Sequence, residues 1–128
     1  MLSLAFERRH RVLRITVSGI FASEDLDELD NAVIAFVARH GQARGIIDCT
    51  DAEAFAVPES RLAQRVQQPP ILQQEKVIVA ARVAGAGART YGLLQRDAGR
   101  KEAAVVDTLD EAYALLGLKN PRFEPIEG

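Results

Sequence analysis

The sequence predicts an α/β domain: a mixed, mostly parallel five-stranded sheet with four helices, in the order β-β-α-β-α-β-α-β-α. Three observations predict it. Two short runs near the start alternate apolar and polar residues. Later stretches carry apolar residues at helical spacing. One continuous apolar run, Lys76 to Ala81, reads as a strand covered on both faces. The 128 residues fit one domain, placed at residues 1–118, with residues 119–128 as a loosely ordered C-terminal tail.

Leu2, Leu4 and Phe6 alternate with Ser3, Ala5 and Glu7, and Leu13, Ile15 and Val17 alternate with Arg14, Thr16 and Ser18. Around the polar turn Arg8-Arg9-His10 these read as an antiparallel hairpin, ended by Gly19. Ser23 is a good helix N-cap. Leu26, Leu29, Val33, Phe36 and Val37 then line one face through about His40. Acids crowd the first turns and Arg39 and His40 the last, which complements the helix dipole. Gly41 suits a left-handed cap.

Gly45 to Cys49 reads as a short apolar strand and Thr50 to Val57 as a loop. Pro58 fits a first helical position, ahead of a stripe of Leu62, Ala63 and Val66. Pro69-Pro70 stops that helix. Gly85 and Gly87 open a loop, and a helix follows from about Ala88 to Ala98. Ala103 to Val106 is a last strand. Thr108 with Glu111 three residues on is a capping box, with Leu109, Ala112, Tyr113 and Leu116 as the buried face of the closing helix.

Composition narrows the function classes. Net charge is −2, with sixteen basic residues spread along the chain, which argues against a nucleic-acid partner. The lone cysteine, Cys49, permits no internal disulfide and fits a reducing compartment. The opening residues lack a signal-peptide pattern, and no apolar run approaches the ~20 residues of a membrane span. A cytoplasmic location is expected.

Asp48-Cys49-Thr50-Asp51 sits where a parallel strand should end, the usual ligand edge of an open α/β sheet. Two carboxylates, a thiol and a hydroxyl there suit acid–base work or a phosphate switch. The plainer reading is that the aspartates hydrogen-bond the loop and Cys49 packs as a small hydrophobe. Neither His10 nor His40 has a reason to lie near Cys49, so a Cys-His enzyme is not expected. No metal-ligand spacing is present. Gly85-Ala86-Gly87 resembles half of a phosphate cradle, with Arg82 and Arg89 nearby, but Thr90 stands where the next glycine belongs. No cofactor is implied and no catalytic motif is found.

The hairpin, the acidic-to-basic helix ending His40-Gly41, the strand Gly45-Ile46-Ile47-Asp48 with its polar loop, the strand Val77-Ile78-Val79 and the helix start Thr108-Leu109-Asp110-Glu111-Ala112 together resemble a known layout. It is that of the anti-sigma-factor antagonist (STAS) domains, in the SpoIIAA-like branch grouped with Sec14-type lipid-binding domains. The resemblance spans roughly Leu2 to Leu118. It implies a non-enzymatic regulatory module that binds a protein partner, with Asp48, Thr50, Asp51, Ser60 and Arg61 as candidate contact residues. In the switching members a serine at the start of the second helix is phosphorylated. Pro58 occupies the matching position here, leaving Ser60 as the phosphorylation candidate. The lipid-binding side of the resemblance implies the alternative, a carrier of a small apolar ligand. That role needs an apolar cavity, with Pro69-Pro70-Ile71-Leu72 either a flap over it or a linker anchored in the core. An exposed edge at Ala103–Val106 leaves a homodimer open.

Overall fold

The computed structural model describes residues 1–80 and 85–126. A hairpin of β1 (Leu2–Glu7) and β2 (Val12–Phe21) leads into α1 (Ser23–His40). There follow β3 (Arg44–Phe55), α2 (Glu59–Val66), β4 (Lys76–Val79), α3 (Gly85–Asp97), β5 (Ala104–Val106), α4 (Leu109–Leu115) and β6 (Glu124–Ile126). The sheet order is β5-β4-β3-β2-β1-β6. β2 through β5 pair in parallel, and β1 runs antiparallel to both β2 and β6.

The α/β class and the four helices are as expected, but the sheet has six strands, not five. The sixth comes from the C-terminal segment. Pro125 sits opposite Ala5 in β6, an edge strand where a missing N–H interrupts no inner ladder.

Strand alternation divides the core into two layers. Leu13, Ile15, Val17 and Ile47 face α1, α2 and α3. Val12, Ile46, Val77 and Val79 face α4, where Ala112, Leu116 and Leu118 complete a second cluster. Phe6 meets Phe36 of α1 edge-on, with ring centroids 5.0 Å apart, and His40 stacks beside both.

Helix ends are satisfied from outside the helices. The last carbonyls of a helix lack internal partners and carry partial negative charge. Arg11 Nη2 donates to His40 O at 2.5 Å and Gln42 O at 3.0 Å, just past α1. Arg44 Nη1 donates to Leu116 O at 2.8 Å, beyond α4. Arg100 Nε donates to Val66 O at 3.3 Å, the last carbonyl of α2. Three helices are thereby fixed to neighbouring segments at the end of the sheet where the parallel strands begin.

Several boundaries moved. The N-cap of α1 is Ala22, whose N–H donates to Asp25 Oδ2 at 2.8 Å, so Asp25 rather than Ser23 satisfies this end. Gly41 has positive φ (84°) but extended ψ (−173°), and its N–H bonds Val37 O. Pro58 is the N-cap of α2 and not its first helical residue. Thr108 caps α4 as expected, accepting from Glu111 N at 3.2 Å; its hydroxyl donates to Glu111 Oε1 at 3.2 Å, replacing the usual backbone partner.

Two corrections bear on the functional reading. Residues 50–55 are not a loop: β3 continues to Phe55 alongside β2, carrying an extra residue between Asp48 and Asp51 and another between Ala52 and Ala54. Gly85 and Gly87 are not a loop either, because they form the first turn of α3. A Cβ at Gly87 would collide with the Phe55 ring. The glycine serves close helix–strand approach. Arg82, which the sequence places near this turn, lies outside the described residues.

The hairpin turn holds one buried acid. Glu7 Oε2 accepts from His10 N at 2.7 Å and lies 2.8 Å from His10 Nδ1. Burial alone would raise the Glu7 carboxyl, but the backbone and ring bonds from His10, its charge and the Arg122 amide hold it below the ordinary 4.5. Such a group stabilises the fold above its unfolded pKa, and that contribution is lost as pH falls through the folded value. Glu7→Gln is therefore expected to narrow the stability gap from wild type below about pH 4.5 and to widen it above. Urea midpoints at pH 3 and pH 7 check this, and equal gaps at both would refute it.

Candidate functional site

The candidate residues do not converge. Asp48 is buried on the α4 side of β3. Its Oδ1 accepts from Thr50 N at 3.0 Å and from the Thr50 hydroxyl at 2.5 Å. This is the local hydrogen-bonding role expected of it. Cys49 points the opposite way, among the residues packed under α1 and α3. Thr50 and Asp51 are exposed on the far half of β3. Ser60 is exposed in the first turn of α2. Arg61, one residue on, pairs with Asp27 of α1 and so ties those two helices.

The thiol is a poor nucleophile here. Burial, with some help from the Asp48 charge, pushes Cys49 up to about 11. Neither histidine lines the cavity that Cys49 lines. Native protein at pH 7.5 should react with a thiol-specific reagent at least tenfold more slowly than the same protein in urea. Fast native labelling would show an activated cysteine instead.

What the structure does bring together is a cavity of about 260 Å³ between the sheet and helices α1, α2 and α3. Its size lies just under the roughly 300–1,000 Å³ of small-molecule pockets. Ile15 and Ile47 form its floor, Leu26, Leu29 and Val33 of α1 one wall, and Tyr91 of α3 another. Phe21 and Phe55, register partners at the ends of β2 and β3, stack at 5.7 Å and close one end.

The far side is bounded by the segment between α2 and β4. Leu72 is buried and Ile71 packs against the core, so Pro69–Leu72 behaves as an anchored linker. Gln42 clamps it from the end of α1: its Nε2 donates to Ile71 O and its Oε1 accepts from Gln73 N, both at 2.9 Å. Lys76 Nζ adds a bond to Leu72 O at 2.9 Å.

The polar groups on the wall include one buried ion pair. Arg65 of α2 and Asp30 of α1 form an ion pair at 2.7 Å, largely out of water. Burial raises the Asp30 carboxyl above its usual range despite the Arg65 charge. Burial also raises the Tyr91 hydroxyl and lowers the Lys76 ammonium. Among the described residues, no group of three or more His, Cys, Asp or Glu side chains is placed to hold a metal ion. No described helix is long and apolar enough to cross a membrane.

The sequence expectations placed the site on the polar rim and missed Arg65, Asp30 and Tyr91. The only signal was two helical positions, Asp30 and Arg65, where charge interrupts an otherwise inward-facing stripe. No family model matches the chain, and no curated protein matches it.

Proposed function

We propose that this domain is a non-enzymatic binding module whose cavity takes a small, largely apolar ligand, as a carrier or a ligand-responsive regulator. The observation that carries this reading is the cavity of about 260 Å³ walled by aliphatic and aromatic side chains. A concave space lined mainly by apolar side chains with some polar groups is the usual form of a small-molecule site. The resemblance to the SpoIIAA-like branch, with its Sec14-type relatives, fits the same role.

The test is occupancy. Native mass spectrometry of freshly purified protein should reveal a retained mass, or a neutral apolar dye such as Nile red should bind one per chain. Cys49→Phe, which fills the cavity from its floor, should weaken dye binding at least tenfold while leaving the circular dichroism spectrum intact. A wild-type protein that retains nothing and binds no dye would end this reading.

A second reading, a STAS-type module that recognises a protein partner, is favoured by one observation. Thr50 and Asp51 in the second half of β3 and Ser60 in the first turn of α2 are all exposed. Ser60 is the phosphorylation candidate of this reading. Replacing Thr50, Asp51 and Ser60 together by alanine should abolish partner binding and spare dye binding. Pairing of two copies through the β5 edge belongs to this second reading, and sedimentation velocity decides it.

A further inference from the structure

The cavity has a polar feature that a purely apolar ligand would not use. Arg65 is only 8% exposed. A guanidinium presents five N–H donors in a planar fork. Asp30 Oδ2 meets it on the Nε side. Among the described residues, no oxygen accepts a hydrogen bond from its two terminal nitrogens. No side-chain nitrogen sealed from solvent lacks a partner there either. Arg65 lines the cavity, so its guanidinium is a candidate head-group partner there.

The surrounding charge favours an anion. The charged lining residues are Arg65, Lys76, Arg100 and Lys101 against Asp30, Glu75 and Glu102. Glu102 is already neutralised by Arg96 at 2.7 Å. The neutral polar groups on the wall are Tyr91, Cys49, Gln68, Gln73, Gln74 and Gln95, each with a donor and none with a repelling charge. The volume sets the size. At about 260 Å³ the space lies near the lower end for small-molecule pockets, which suits a short or medium chain.

From these observations we infer that the cavity binds a medium-chain carboxylate, with its head group on the terminal nitrogens of Arg65 and its tail between α1, α3 and the sheet. The inference rests on the apolar-cavity reading above and adds the ligand class. A planar carboxylate matches the guanidinium fork, and a charge-assisted pair shielded from water is stronger than a neutral hydrogen bond. Asp30 is then an internal competitor. It holds the guanidinium in place when the cavity is empty and shares it when the ligand is bound.

Calorimetric titration of octanoate, 1-octanol and octylamine into wild type, Asp30→Asn and Arg65→Gln tests this. Octanoate should bind wild type at least tenfold more tightly than 1-octanol. Asp30→Asn should tighten octanoate by about tenfold and shift 1-octanol far less. Arg65→Gln should weaken octanoate by about tenfold or more. If Arg65→Gln does not fold, the Asp30→Asn result decides alone, because a purely structural ion pair predicts weaker binding in that variant. Octanoate and 1-octanol binding alike in all three proteins would overturn the carboxylate site and leave the apolar cavity standing. Tightest binding of octylamine would assign the head group to Asp30 and also overturn it. No binding of any probe to wild type would remove the cavity reading, and this inference with it.

Discussion

Arg65→Met should destabilise the fold by about 3–5 kcal/mol, and adding Asp30→Leu should recover most of that loss. The reason is the asymmetry of buried ion pairs. Arg65 and Asp30 lie 2.7 Å apart with side chains 9% and 17% exposed. Bringing both charges out of water is costly, so the intact pair adds little net stability. Removing one partner leaves the other charge without compensation. Asp30 has one escape: its pKa is already raised by burial, so it can take up a proton, which places the cost toward the lower end of the range at mild pH. A double-mutant cycle from urea midpoints measures the coupling. Losses from Arg65→Met and Asp30→Leu that simply add in the double variant would show that the two residues act independently.

Phe36→Ala should cost a similar amount, about 3–5 kcal/mol. Phe36 is 4% exposed at the C-terminal end of α1's buried face, edge-on to Phe6. Its deletion opens a hole between α1 and the hairpin that the rigid strands cannot close. The matched control is Ile34→Ala on the same helix. Ile34 is 53% exposed, and its truncation should stay within about 0.5 kcal/mol. Urea denaturation with unchanged m-values would separate the two. Comparable losses at both positions would mean that helix propensity, and not packing, sets the stability of α1.

Much of the fold was legible because period and capping are local. The alternation of Leu2, Leu4 and Phe6 against Leu13, Ile15 and Val17 sets the register seen between β1 and β2. The α1 stripe of Leu26, Leu29, Val33 and Phe36 is the buried face. Where the sequence misled, a non-local partner was responsible. The second half of β3 looks like a loop because Thr50, Asp51 and Glu53 are polar and exposed. Pairing to the end of β2, through two bulges in β3 itself, makes it a strand. Gly85 and Gly87 look like helix breakers, yet Gly87 begins α3 because the Phe55 ring occupies the space of a side chain. Pro125 demotes a strand by local rules, and the free edge of β1 accepts it.

The site was the least legible part. Asp48 and Cys49 are neighbours in sequence, but successive strand residues point to opposite faces, so the cluster that looked like a reactive group is split across the sheet. Arg65 and Asp30 are 35 residues apart in the numbering and meet only because α1 and α2 cover the same face.

The amino-acid order alone determined the α/β class, the hairpin, the inward face of α1 and the unmatched cysteine. These follow from side-chain period and backbone chemistry within one or two turns of chain. Tertiary structure decided the sixth strand, the true length of β3, the pairing of Arg65 with Asp30 and the space beneath the three helices. Periodicity says which face turns inward. Whether the inward faces of separate elements meet or leave a gap depends on how far apart the backbones are held, and only the assembled fold sets that distance.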